Sequence, residues 1–157
     1  LNRKALMSNK ANLERMLGTM SEAAGNMPII APLRTDAAQV VQLLDASKHR
    51  NLHIVQPLGY LEFSYLLLNA AGVITDSGNV AEEATFTNVP CATLNSYTEH
   101  IETVKQGSNV LVGEDAQKLR TAVSDMVSGK WKTATIPDRW DGRSAERIIQ
   151  TLIDFVK

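Results

Sequence analysis

The segment best suited to chemistry lies between residues 73 and 84. A short apolar run, Val73–Thr75, is followed by the small polar stretch 76–79 and then by a helical pattern. The free N–H groups of a helix's first turn, together with the positive end of its dipole, attract anions. Gly78 would let the backbone approach a phosphate without a side chain in the way. Ser77 could cap the helix or donate its hydroxyl to the same phosphate. The pattern therefore predicts a phosphate-binding turn.

Two carboxylates, Glu82 and Glu83, follow about one helical turn later. A carboxylate at this depth can accept hydrogen bonds from both hydroxyls of a ribose attached to that phosphate. From local chemistry alone, a capped helix with two solvated glutamates is an equally good interpretation.

The chain around this turn is predicted to alternate between strands and helices. Apolar runs predict strands at 27–31, 52–55, 73–75, 91–94 and 109–112, and helical periodicity predicts helices at 9–25, 37–44, 63–70, 80–84, 99–105, 116–127 and 145–156. This alternation is typical of an α/β fold, a Rossmann-like doubly wound parallel sheet with helices on both faces. Ligands of such sheets bind at the carboxyl ends of the strands.

The composition argues against several classes of protein function. A chain of 157 residues with a net charge of -1 predicts one domain and gives no electrostatic reason to expect nucleic acid or an anionic membrane as partner. A single cysteine excludes an internal disulfide, and no spacing suggests a metal site or a cofactor.

No apolar stretch reaches the roughly 20 residues that span a bilayer, and no signal peptide is evident, so we expect a cytoplasmic location. The chain begins without methionine, so we expect either a fragment or a natural truncation.

A few other residues invite a functional interpretation that their surroundings do not favour. Cys91 lies in an apolar run and is predicted to be a buried strand residue and not a reactive thiol. His49 and His53 lack metal-ligand spacing and are predicted to be surface histidines. Trp131 and Trp140 flank a proline-containing loop, and packing of that loop is favoured over ligand stacking.

Thr75–Ala84 closely resembles the T-D-S-G-G-x-x-E-E-A segment of the non-hydrolysing UDP-N-acetylglucosamine 2-epimerases. Five further blocks resemble segments of that family in matching order and spacing, so that the resemblance covers nearly the whole chain. They are Pro57–Phe63 (P-x-x-Y-x-x-F), Asn88–Pro90 (G-K-P), Thr98–Glu102 (T-E-R-P-E), Gly107–Gly113 (G-T-x-x-L-V-G) and Asp141–Ile148 (D-G-x-A-S-x-R-I).

The resemblance implies one half of a type-B glycosyltransferase (GT-B-like) architecture. Residues 1–157 would be the C-terminal nucleotide-binding domain, with the N-terminal Rossmann-like partner domain absent and a homodimer possible in the full-length protein. The ligands would be UDP and a UDP-2-acetamido sugar. The implied reaction inverts C2 of the sugar through elimination and re-addition of UDP, with no metal or redox cofactor.

Residue by residue, the resemblance implies a nucleotide site. Ser77, Gly78 and Asn79 would hold the diphosphate, and Glu83 would bind the ribose. Two other positions complete the site: Phe63 would lie beside the uracil, and His100 would stand where the family has a basic arginine facing phosphate or substrate.

The sequence departs from the family's pattern near its N-terminus. Asn2, Ala5 and Leu6 occupy the positions of a histidine, a glutamate and an asparagine in the family's L-H-R-x-E-N-V-D block, and only Arg3 is retained. Arg3 and His100 are therefore the possible catalytic residues. Asparagine cannot act as a general acid or base. Two alternatives stay open, the donor-nucleotide domain of a GT-B glycosyltransferase and a catalytically degenerate UDP-binding module.

Overall fold

A computed structural model describes residues 9–33 and 49–156. The predicted helix at 37–44 and Arg3 lie outside the described residues. The first described helix, α1 (Lys10–Ala24), begins where the Asn9 side chain accepts a hydrogen bond from the Asn12 N–H and ends before Gly25, whose φ is 59°. Glycine tolerates this left-handed conformation without steric cost. The apolar positions that predicted this helix are all buried, namely Leu13, Met16, Leu17, Met20 and Ala24.

The described strands are short and parallel. β1 (Ile29–Pro32) pairs with β2 (Leu52–Val55) in one sheet, and β3 (Val73–Thr75), β4 (Cys91–Thr93) and β5 (Asn109–Leu111) form a second sheet in that order. One continuous sheet was expected. Within the described residues no ladder joins the two sheets, although side chains from both enter one core.

Helices follow the strands as the periodicity predicted. They are α2 (Tyr60–Leu68), α3 (Gly78–Phe86), α4 (Ile101–Lys105), α5 (Ala116–Ser128) and α6 (Ser144–Val156). The best-capped of them, α5, begins where the Asp115 carboxylate accepts hydrogen bonds from the Gln117 and Lys118 N–H groups at 2.9 and 3.1 Å. The bond from Lys118 is the main reason that the pKa of Asp115 lies below its ordinary value.

Two clusters of apolar side chains hold the layers together. The larger cluster lies between α1, α5 and strands of both sheets, and Leu119 at its centre is fully buried. The smaller cluster joins α2, α3 and β4 through Leu67, Ala81, Ala84 and Cys91. Cys91 is buried as predicted, and burial raises the pKa of its thiol to about 12, which keeps the thiol protonated and unreactive at neutral pH.

A buried polar network links three of these elements. Asn109, in β5, is fully buried. Its side chain accepts a hydrogen bond from the Thr93 hydroxyl of β4 and donates one to the Thr103 hydroxyl of α4, both at 3.2 Å. The Thr103 hydroxyl in turn donates to the His100 carbonyl at 2.7 Å. The network therefore fixes where α4 begins relative to the sheet.

The predictions for the histidines and for Trp131 have different outcomes. His53 is exposed as predicted, but the prediction for His49 was wrong: its side chain is buried, and its ring lies against α1 at Gly18, where the absence of a side chain leaves room. Trp131 packs against the larger core and its Nε1 donates to the Ser108 carbonyl at 2.7 Å, which confirms the predicted packing.

The last helix, α6, contributes nothing to either core. It has no buried residue, and six of its large apolar side chains are exposed. Just before it, Asp141 accepts hydrogen bonds from the Arg147 side chain and, second in effect, from the backbone N–H of Arg143, and both lower the pKa of the Asp141 carboxyl. The exposed apolar side chains are Ile148, Ile149, Leu152, Ile153, Phe155 and Val156.

Replacing Leu119 with alanine should destabilise the protein. The substitution leaves a cavity at a fully buried position, so we expect a loss of about 2–5 kcal/mol in the free energy of unfolding. Urea unfolding followed by Trp fluorescence measures it. Leu61→Ala, at a side chain that is 78% exposed, is the matched control and should change stability by less than about 0.5 kcal/mol. Equal losses in the two variants would contradict the core described above.

Backbone amides of α6 should exchange hydrogen faster than those of α5. No side chain of α6 is buried, whereas Leu119, Ala122, Val123 and Met126 anchor α5, and unanchored segments open at low free-energy cost. Hydrogen exchange measured by mass spectrometry on the 157-residue chain tests this. Equal protection in the two helices would show that α6 packs on a surface of its own chain.

Candidate functional site

The carboxyl ends of β3, β4 and β5 gather three loops at one edge of the sheet. The turn after β3 and the loop after β4 are joined by a hydrogen bond of 3.4 Å from the Asn95 Nδ2 to the Asp76 carbonyl. The loop after β5 passes beside them at Gly113, where an added Cβ would lie 4.0 Å from the Cα of Ser96. This is the edge at which ligands bind in parallel α/β sheets.

The predicted phosphate turn lies at this edge. Ser77 is the N-cap residue of α3, and its backbone N–H donates to the Thr75 hydroxyl at 3.1 Å. The Ser77 hydroxyl makes no capping hydrogen bond, so side-chain capping, one of the two roles predicted for it, is not used. The N–H groups of Gly78, Asn79 and Val80 open α3 without intrahelical acceptors. The turn thus presents several unused donors.

His100 lies directly against this turn. An added Cβ at Gly78 would lie 2.5 Å from His100 Nε2 and 2.6 Å from Cδ2. The φ of Gly78 is not in the left-handed region, so the need for glycine here arises from the contact with the imidazole ring. The space that a side chain would take at Gly78, which we expected to be open toward a phosphate, is occupied by His100.

The two glutamates of α3 have different surroundings. Glu82 is one turn after Gly78 on the same helix face, and its Oε1 lies 2.8 Å from His100 Nδ1. Glu83 is one turn after Asn79, on the adjacent face. Its carboxylate has no recorded hydrogen-bond partner among the described residues, whereas the carboxylate of Glu82 is engaged.

Glu83 borders a groove of about 450 Å³ between α2 and α3. The groove has an apolar floor, with both glutamates of α3 at its margin. Sequence reasoning did not identify most of its lining, although Tyr60, Ser64 and Leu68 repeat every four residues along α2 and so share one helix face. The lining residues are Tyr60, Ser64, Leu67, Leu68, Glu82, Glu83, Phe86, Thr87 and Trp140.

The sequence also predicts Phe63 and Arg3 as site residues. Phe63 packs half-buried against the smaller core and is absent from the lining of the groove. Arg3 lies outside the described residues. Trp140 lines the groove, so it has an exposed ring face there in addition to the packing role predicted for it.

Other site types find no support in residues 9–33 and 49–156. In those ranges no three His, Cys, Asp or Glu side chains cluster as metal ligands would. No helix in the same ranges combines the length and apolar character that crossing a bilayer requires.

Comparison with known proteins gives consistent matches. The family model described as UDP-N-acetylglucosamine 2-epimerase matches residues 2–153. A UDP-N-acetylglucosamine 2-epimerase of Methanocaldococcus jannaschii is 44% identical over 106 residues, which are 66% of this chain and 28% of that protein. A UDP-2,3-diacetamido-2,3-dideoxy-D-glucuronate 2-epimerase of Pseudomonas aeruginosa is 31% identical over 97% of this chain and 42% of its own length.

Solved structures agree with the fold. The crystal structure of the M. jannaschii UDP-GlcNAc 2-epimerase in complex with UDP-GlcNAc and UDP superposes with a TM-score of 0.79 and 33% identity, over 97% of this chain and 43% of that one. The chain therefore spans less than half the length of the relatives it matches. The predicted fold class, a Rossmann-like half of a GT-B-like architecture, is confirmed. The chain belongs to the UDP-N-acetylglucosamine 2-epimerase family.

Proposed function

We propose that this chain is the UDP-binding half of a UDP-sugar 2-epimerase. The observation that carries the proposal is the arrangement along α3, where the unused backbone donors of Gly78 and Asn79 are followed by Glu83, whose carboxylate bonds to no described residue. Glu83 is five positions after Gly78 along the helix, a rise of roughly 7–8 Å. That distance fits a diphosphate at the turn and its attached ribose at Glu83.

Each part of the nucleotide has a matching surface. The diphosphate accepts hydrogen bonds from the first turn of α3 and from the Ser77 hydroxyl. The ribose hydroxyls donate to the Glu83 carboxylate. The uracil lies toward α2, on the side of the smaller core where Phe63 packs. No metal ion or redox cofactor takes part.

The reaction is inversion at C2 of a 2-acetamido sugar. The C2 proton and the UDP group at C1 leave together to give a glycal, and UDP then adds back to C1 as a proton returns to the opposite face of C2. Atoms and charge balance without an external reactant. This chain holds UDP through both steps, so that the leaving group stays available for re-addition. The relatives act on different sugars, UDP-N-acetylglucosamine and a UDP-diacetamido uronate among them.

A second Rossmann-like domain supplies the rest of the active site. The relatives are more than twice as long as this chain, and α6 exposes a row of apolar side chains that no described residue covers. Exposed apolar surface of this kind marks an interface. We place the partner domain against α6, where it would bring its acid-base carboxylates to the sugar.

Glu83→Ala should abolish or greatly weaken UDP binding. The substitution removes the acceptor of the ribose hydroxyls, and hydrogen bonds to charged groups contribute about 1.5–3 kcal/mol, so the affinity should fall about tenfold or more. Calorimetric titration of the 157-residue chain with UDP and UDP-N-acetylglucosamine measures it. Glu22→Ala, an exposed carboxylate on α1, is the matched control. A folded chain that binds neither ligand would overturn the proposed function.

Gly78→Ala should also weaken UDP binding, by about tenfold. The new methyl group would lie 2.5 Å from His100 Nε2, so the imidazole must leave its place over the phosphate turn. The same titration measures the effect. Gly18→Ala is the matched control, because a Cβ there would meet only His49 Cε1 at an ordinary 3.5 Å. Unchanged affinity in Gly78→Ala would show that His100 takes no part in binding.

A further inference from the structure

His100 stands between the phosphate turn and an acidic partner. Its Nδ1 lies 2.8 Å from Glu82 Oε1, and its Nε2 lies against Gly78, at the first residue of α3. No hydrogen-bond partner is recorded for Nε2 among the described residues. One imidazole thus spans a full turn of α3, with one nitrogen on a carboxylate and the other over the turn.

The partners of the two ring nitrogens of His100 determine which of those nitrogens must carry a proton. An ionised carboxylate only accepts hydrogen bonds, so the ring donates its Nδ1–H to Glu82. In the neutral ring Nε2 then carries a lone pair. A diphosphate oxygen is also an acceptor, and a lone pair facing it would repel it. A favourable contact therefore requires a proton on Nε2 as well, which makes the ring an imidazolium.

From this geometry we infer that the nucleotide diphosphate binds with uptake of a proton on His100 Nε2, and that Glu82 is the positioning residue that orients the ring and stabilises its positive charge. The inference rests on the proposed function, since it concerns the same diphosphate. Where family members carry a permanently charged arginine, this chain has a cation that forms as the ligand arrives.

The titratable groups near the ring are acidic side chains. Glu82 is in contact on α3, Asp76 stands in the turn that precedes α3, and Glu99 and Glu102 flank His100 on its own segment. All four are acidic. An imidazolium at this position would be attracted by these carboxylates as well as by the diphosphate.

Calorimetry in two buffers of different ionisation enthalpy tests the inference. The ligand is UDP-N-acetylglucosamine at about pH 7.5, because its diphosphate is esterified at both ends, whereas the terminal phosphate of UDP itself titrates near pH 6. We expect uptake of up to about one proton per ligand bound. Because the bound state then holds more protons than the free state, the affinity should fall as the pH rises through the range in which histidine titrates.

Three variants separate positioning from general structure. His100→Arg should bind the ligand with no proton uptake and with an affinity that no longer changes between about pH 6 and 8. Glu82→Gln should weaken binding about tenfold and reduce uptake when His100 is present, and should have little effect in the His100→Arg background. Glu22→Gln, at a carboxylate of α1 that pairs with Arg120 on α5, is the matched control.

The outcomes distinguish this inference from the proposed function. Binding without proton uptake would overturn the role of His100 and Glu82 and leave UDP binding established. Equal losses from Glu82→Gln in both backgrounds would show that Glu82 acts on the fold and not through the imidazole. A folded chain that binds neither UDP nor UDP-N-acetylglucosamine would overturn both.

Discussion

The buried amide of Asn109 is the contact on which the candidate site depends. It is fully enclosed, and its side chain bonds to Thr93 on β4 and to Thr103 on α4. A buried polar group left unpaired costs about 1–3 kcal/mol, so these elements cannot shift without losing stability. Thr103 also donates to the His100 carbonyl. This chain of hydrogen bonds therefore fixes the position of His100 relative to the sheet.

The residues of α3 that form the candidate site lie on two neighbouring faces of the helix. Gly78 and Glu82 lie one turn apart on α3, and His100 contacts both. The adjacent face carries Asn79 and, one turn later, Glu83, which lines the groove. In the proposed complex, neighbouring faces of this nine-residue helix would recognise the diphosphate and the ribose, without competition between the two glutamates.

The surfaces left uncovered indicate how the rest of the protein would be arranged. α6 exposes its apolar side chains along its whole length, and the groove beside α3 is open on its outer side, with Tyr60, Phe86 and Trp140 at its margin. In the proposed function, a partner domain would cover these surfaces. The stability of the described domain comes instead from the cluster between α1, α5 and the sheets, which needs no partner.

The sequence by itself determined the α/β class, the first helix to within a residue at each end and the strand-turn-helix junction at Ser77, because apolar periodicity, capping residues and such junctions are local patterns. It also identified the family, through blocks in order. Only the tertiary structure showed that Glu82 and not Glu83 bonds to His100, that His100 contacts Gly78 and that His49 is buried. Each of these contacts joins residues that are distant in the sequence. Local spacing places a side chain on a helix face, but the packing of other elements decides what meets it there.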